Sequence, residues 1–337
     1  METQPVKRAP YGRQREMPTE RNNSQPAIRQ YRGETYYGQP ALNPSHYGQL
    51  VATYLFLGGL AGASQMIATV ADLCGRNNFV VRAGRYLALG GALTGPGFLV
   101  ADLHTPERWY NMLRIFRRTS PMSIGSWMLA GFGTMSGLTA AAQWLADRRP
   151  RRFYRSAARA LGLPAAASGA VVATYTGALL GATSVPLWAS VSRWLPALFG
   201  VSAAATSTAA LSLAVQAQEA PASTIRRLEK LALLAAGAEL VVSSALDRRW
   251  ERQDLAAPLQ REPIATAYRA GYKGLGIAAP LIVHGLSAIT GRCSRRWSIG
   301  AAVATLAGGY LLRSVLLAAG KESAKRAEDY FRFTQPR

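Results

Sequence analysis

One short stretch of this sequence gathers carboxylates, an imidazole and guanidinium groups: Asp102-Leu-His104-Thr-Pro-Glu107-Arg108, continuing through Arg114, Arg117 and Arg118 to Ser120-Pro-Met-Ser123. Such a set can bind a polar headgroup and exchange protons, or it can simply salt-bridge itself within a loop. Elsewhere, polar and ionisable residues stand inside long apolar runs, where lipid makes each one costly and therefore a functional candidate. Tyr54, Gln65 and Asp72 are 11 and 7 residues apart, so at about 100° per residue they return to one helix azimuth. That polar stripe either bonds neighbouring helices or lines a ligand site or proton path. Tyr175 and Thr176 fall mid-run within Tyr-Thr-Gly-Ala-Leu-Leu, where a phenol can reach a ligand carbonyl or tie two helices together. Glu239 and Arg313 lie at matching depths, about 10 Å below the same surface, and read as a structural pair. Alternatively Glu239 belongs to a proton path, with Gln65, Asp72 and Gln216 as steps nearer the opposite surface.

The elements that must position these groups are membrane helices. Charged residues make up 17% of the 337 residues and crowd into the ends and connections, which leaves runs of about 20 residues built from Ala, Gly, Leu, Val, Ser and Thr. Soluble helices need a polar face and these runs have none, which excludes a soluble enzyme. Eight apolar segments are expected, at 48–71, 82–101, 123–145, 164–189, 195–216, 228–246, 271–289 and 299–319. All read as helices, because an open strand edge does not survive in lipid. Small residues four apart, as in Gly58 and Gly62, Gly91 and Gly95, and Ala178 and Ala182, permit close helix contact. An even number of spans puts both termini on one side, side A, together with the connections around 102–121, 190–194 and 247–270. Residues 1–47 form a long polar tail with Tyr31, Tyr36, Tyr37, Pro40 and Pro44, either disordered or extended on a partner, and 321–337 form a polar C-terminal tail.

The charge excess of +21 is divided among loops, the pattern of a membrane surface and lipid headgroups, so nucleic acid is not an expected partner. Lys and Arg in the short loops favour side B as cytoplasmic, whereas adding both tails reverses the count. Cys74 and Cys293 are far apart and support neither a zinc site nor an iron–sulfur cluster. Of the three histidines, His46 precedes the first segment, His104 is in a loop and His284 alone falls within a span, so neither a bis-His haem nor any resident metal is expected.

Several motifs, in order, resemble those of the NrfD/polysulfide-reductase membrane-subunit family: Tyr36-Tyr37-Gly-Gln-Pro40, Tyr54-Leu-Phe-Leu-Gly-Gly-Leu-Ala-Gly-Ala-Ser64, the stretch from Asp102 to Arg114, Ser120-Pro-Met-Ser-Ile-Gly-Ser-Trp127, Tyr175-Thr-Gly-Ala-Leu-Leu and Pro186-Leu-Trp188. The resemblance is good over residues 31–190 and thin beyond, through Glu239 and Gly308-Gly-Tyr-Leu-Leu-Arg313. It implies an all-α membrane protein of eight transmembrane helices in two four-helix bundles, 48–190 and 191–320, the first holding a quinone site near side A. It further implies that the chain carries no haem or iron–sulfur cluster of its own and takes menaquinone or ubiquinone as bound substrate. Electrons would pass to or from a ferredoxin-like iron–sulfur subunit docked on side A, itself serving a catalytic subunit such as a molybdopterin oxidoreductase. The family's carboxylate and Arg fall on Asp102, Glu107 and Arg108 and its fourth-helix Tyr on Tyr175; together with the polar residues read directly from the sequence, Asp102, Glu107 and His46 are expected in proton chemistry and Tyr54, Arg108, Tyr175 and Gln65 at the quinone. Relatives with this amino-terminal pattern often carry Trp where His46 stands, so the pocket mouth differs in shape or gains a titratable group. The implied place is a bacterial or archaeal cytoplasmic membrane with side A outside. Competing readings are a transporter for an ion or small solute, which intramembrane acids would also suit, and an anchor without quinone chemistry.

Overall fold

Among the residues described by the computed structural model (40–75, 78–103, 105–291 and 294–335) every regular element is helical. Eight helices are long: α1 Gln49–Leu73, α2 Asn78–Ala101, α3 Pro121–Arg148, α4 Arg152–Gly181, α5 Leu195–Ala217, α6 Ala222–Arg252, α7 Ile264–Thr290 and α8 Arg295–Lys325. A 3-10 helix, Pro106–Leu113, lies between α2 and α3, a single turn, Pro186–Ala189, lies between α4 and α5, and a short helix α9, Ala327–Thr334, follows α8. Helices α1, α4, α5, α7 and α8 are long and apolar enough to cross a membrane, and a sixth span results if α2 and the 3-10 helix form one broken unit. This is a multi-pass membrane protein. The expectation of eight apolar spans is met by five or six on that measure. Helices α3 and α6 fall short because Gly, Ser, Thr and Gln dilute the first, while Arg226, Arg227, Glu229, Lys230 and Glu239 interrupt the second.

Packing follows from small residues. Helix α1 lies against α2 where a Cβ on Gly84 would come within 2.7 Å of Ala68 Cβ. It meets α4 where Gly169 would approach the Gly62 carbonyl to 2.7 Å, and α7 meets α8 where Gly276 faces Gly308. Without a hydrophobic force between helices in lipid, such backbone approach is what supplies the attraction. Neighbours α1–α2–α3–α4 close one ring and α5–α6–α7–α8 another, joined where α1 and α4 pack on α5 and α1 on α8. Gly62 and Gly91 of the small-residue pairs sit in such contacts, whereas Ala178 and Ala182 are exposed.

Hydrogen bonds identify the two ends. At side A, Leu42 N donates to Ala324 O at 3.0 Å, Leu187 N to Ser323 Oγ at 3.2 Å, Trp188 Nε1 to Leu316 O at 3.0 Å and Trp250 Nε1 to Leu187 O at 2.9 Å. The Pro186-Leu-Trp188 motif is thus a plug that fastens the α4–α5 connection to α6 and α8. Three expectations shift in detail. Helix α4 begins at Arg152 and ends at Gly181, not 164–189, because a helix can run past the bilayer on Arg and Ala, both strong helix formers. Residues 267–278 of α7 have π-helical hydrogen bonding instead of a regular α-helix. The stretch 321–335 is no tail: α8 continues to Lys325, and α9 buries Ala327 and Asp329. Residues 1–39, including Tyr31, Tyr36 and Tyr37, lie outside the described residues, as do His104 and Cys293.

Candidate functional site

At the side A mouth of the first ring, local sequence chemistry sets the frame. Ser120 caps α3 by accepting from Ser123 N at 3.4 Å, and Pro121 supplies a first helical residue that needs no donor. Ser123 Oγ accepts from Arg117 N at 3.0 Å and donates to Ile115 O at 3.1 Å, which folds the basic segment back onto the cap. Tyr175 of α4 reaches across and donates its phenol proton to Pro121 O. Its ring packs closely on Gly125, where an added Cβ would come within 2.5 Å of the phenol oxygen.

On the opposite side of the mouth, Asp102 terminates α2 and points its carboxylate at the start of α1, where a Cβ on Gly48 would be 3.6 Å from Asp102 Oδ1. Six residues deeper on α1, about 9 Å at 1.5 Å per residue, Tyr54 is buried against Gly95 of α2. The phenols of Tyr54, Tyr175 and Tyr47 are electrostatic neighbours. Tyr47 precedes α1, and its partial burial pushes the phenol above its ordinary range, which keeps it a proton donor. The carboxylate at the lip can accept a released proton, and the phenols of Tyr47 and Tyr54 can donate to carbonyl oxygens of a flat ligand, joined by Tyr175 if its hydroxyl turns from Pro121 O.

A family model for "Polysulphide reductase, NrfD" matches residues 39–323. The chain belongs to the NrfD family. A search of curated proteins finds no match. The match runs through the second ring, so the NrfD likeness extends to residue 323 and not merely to residue 190. NrfD membership together with the apolar helices makes the chain a membrane subunit of the polysulfide-reductase type.

The structure sorts the sequence-derived residues into three places. Tyr54 and Tyr175 are neighbours at the NrfD mouth, and Asp102 lies at its lip beside Gly48, about 9 Å along α1 from the level of Tyr54. His46 is exposed two residues before Gly48, and Glu107 and Arg108 are exposed on the 3-10 helix, where Arg108 departs from helical geometry at φ −101° and ψ 18°. The α1 stripe divides. Its far end, Asp72, is at side B in ion pairs with Arg85 at 2.8 Å and Arg159 at 3.0 Å, while Gln65 Nε2 donates to Thr69 Oγ1 at 3.2 Å and that hydroxyl donates to Gly162 O at 3.1 Å. Eleven residues separate Gln65 from Tyr54, about 16 Å along the helix, so Gln65 does not join the mouth.

Glu239, Arg313 and Gln216 belong to the second ring. Arg313 is fully buried and donates from Nη1 to Ser202 Oγ at 2.9 Å and Gly309 O at 2.6 Å. Glu239 has Ser202, Arg313 and Tyr272 around it. The expected direct pair is therefore a cluster: no Glu239–Arg313 ion pair within 4.0 Å occurs among the described residues, because Ser202 takes the guanidinium bond between them. Helices α6 and α8 run 13 and 12 residues beyond Glu239 and Arg313, so the two residues lie at matching distances from their helix ends. Gln216 stands at side B over a cavity of about 590 Å³ with Glu229, His284 and Arg295. Sequence reasoning missed Tyr47, which directly precedes the apolar run, and Arg85, a charge inside the second run that the same lipid-cost argument would have flagged.

Proposed function

We propose that this NrfD chain is the quinone- or quinol-reactive subunit of a multi-subunit respiratory oxidoreductase, with all eight long helices crossing a bacterial or archaeal cytoplasmic membrane as two four-helix bundles. The supporting observation is that Tyr47, Tyr54 and Tyr175 neighbour one another at the end of the first ring whose lip holds Asp102. The quinone is the substrate, menaquinone or ubiquinone, and exchanges two electrons and two protons per molecule. Tyr54 holds one of its oxygens by donating a hydrogen bond, Tyr175 donates to another once its hydroxyl turns from Pro121 O, Asp102 takes or returns a proton at the aqueous lip, and His46, Glu107 and Arg108 shape the approach. Electrons pass to or from a ferredoxin-like iron–sulfur subunit on side A, which faces outward and which a molybdopterin-type catalytic subunit extends. The exposed Trp109, Tyr110 and Phe116 of the same lip suit that contact. Asp102→Asn leaves assembly intact and cuts quinone-linked turnover at least about tenfold, roughly 1.4 kcal/mol of barrier. Unchanged turnover in the assembled complex removes Asp102 from the chemistry.

A second function, proton transfer through the second ring, is favoured by unpartnered buried atoms along it: Gln216 Oε1 and His284 Nδ1 at side B, and Glu239 Oε1 deeper in. Glu229 and Glu239 are ten residues apart on α6, a gap of about 15 Å that water would have to bridge. Asp72 and Gln65 lie in the first ring and drop out of this path. Glu239→Gln at normal complex yield, with proton movement slowed or uncoupled from turnover, supports the path. Loss of yield with normal specific turnover assigns Glu239 to structure instead.

A further inference from the structure

At the side B end of the first ring, a cavity of about 430 Å³ is lined by Arg82, Arg85, Arg152, Arg155, Arg159, Asp72 and Asp147. We infer that it binds the phosphate headgroup of an anionic phospholipid. The two carboxylates are already committed. Asp72 takes Arg85 and Arg159 at 2.8 and 3.0 Å, and Asp147 takes Arg82 at 3.0 Å, Gln143 Nε2 at 2.9 Å and the Tyr86 hydroxyl at 3.2 Å. Five arginines against two aspartates leave a surplus of three positive charges, and the side chains of Arg152 and Arg155 have no hydrogen-bond or ion-pair partner among the described residues. Arg85 forms the floor: it is 2% exposed, bonds Gln143 and Ala158 O as well as Asp72, and leaves its buried Nε without a partner. A buried, pre-oriented guanidinium beneath a rim of exposed ones is a site built for an oxyanion, since Arg presents its donors as a rigid fork.

The surroundings select a lipid over a soluble anion. Trp144 on α3 and Phe153 on α4 are exposed beside the rim, and Arg148 stacks over Trp144 at 4.2 Å, the aromatic and basic belt of a bilayer interface. Below it, Leu138, Leu163 and Val171 present an apolar exposed face that acyl chains would cover. The headgroup phosphate would meet Arg152 and Arg155 at the rim, above the buried positive charge of Arg85 at the floor.

The test uses the full-length protein in nanodiscs of phosphatidylcholine with or without phosphatidylglycerol, and native mass spectrometry after detergent extraction. Phosphatidylglycerol should be retained at about one per chain and raise Tm, whereas the Arg152→Ala/Arg155→Ala double variant should bind it at least about tenfold more weakly while keeping its helical content. Equal retention by wild type and double variant overturns the proposal. So does protection by millimolar inorganic phosphate that matches phosphatidylglycerol in wild type, since the site would then serve a soluble anion. Should the double variant fail to fold, Arg155→Gln alone is read by the same retention assay, with undiminished binding as the contrary result.

Discussion

At the scale of single residues, charge in this protein is compensated locally, and where it is not, the group is a candidate for work. Asp72 illustrates the difference: its spacing from Tyr54 and Gln65 was visible in sequence, but its partners Arg85 and Arg159, 13 and 87 residues away, were not, since helix packing decides which faces meet. Asp102 was legible from its loop neighbours, whereas Tyr47 became a site residue only through its proximity to Tyr175. Outside the helices that span, Asp329 of α9 is buried beside Arg326 at 3.3 Å, and burial raises its carboxyl to about 6. The folded state therefore holds this proton more tightly than the unfolded chain. Its contribution to stability is complete below about pH 4 and is lost as pH rises through about 6. The Tm difference between wild type and Asp329→Asn should accordingly shift against wild type from pH 4 to pH 7, and a pH-independent difference contradicts the assignment.

At the scale of elements, glycine positions carry the geometry of the mouth. Gly125 admits the Tyr175 ring, and Ser120 with Pro121 places the carbonyl that receives its proton. Gly125→Ala should displace the ring, lower stability by an overpacking cost of about 1–3 kcal/mol, read as a lower Tm, and reduce quinone-linked turnover, while Tyr175→Phe retains the fold and loses the donor. Wild-type Tm and turnover in Gly125→Ala would show that the mouth tolerates the methyl group. Helix existence was legible because apolar runs of span length have few alternatives in lipid, but boundaries were not. The charge at Arg152, Arg155 and Arg159 marks the interface and not the helix start, and α8 passes through Lys321 to Lys325 without a break. The π-helical turn of α7, which sets Tyr268 against Asp247 at 2.6 Å, has no simple sequence signal.

At the scale of the whole molecule, the NrfD chain separates tasks between its ends and its rings. Side A of the first ring holds the phenols and Asp102, side B holds the arginine cavity, and the second ring buries Glu239, Arg313 and Tyr272. The family was readable from motifs concentrated in the first half, while the match across the second ring rests on patterns too dispersed for single motifs. The central claim is that quinone sits at the side A mouth of the first ring. Photolabelling of the purified complex with an azido-quinone, followed by peptide mapping, tests it most directly. The label should fall on peptides containing Tyr47 to Tyr54, Asp102 or Pro121 to Gly125 and be displaced by unmodified quinone. Displaceable labelling confined to helices α5 to α8, or none on the first-ring peptides, would contradict it.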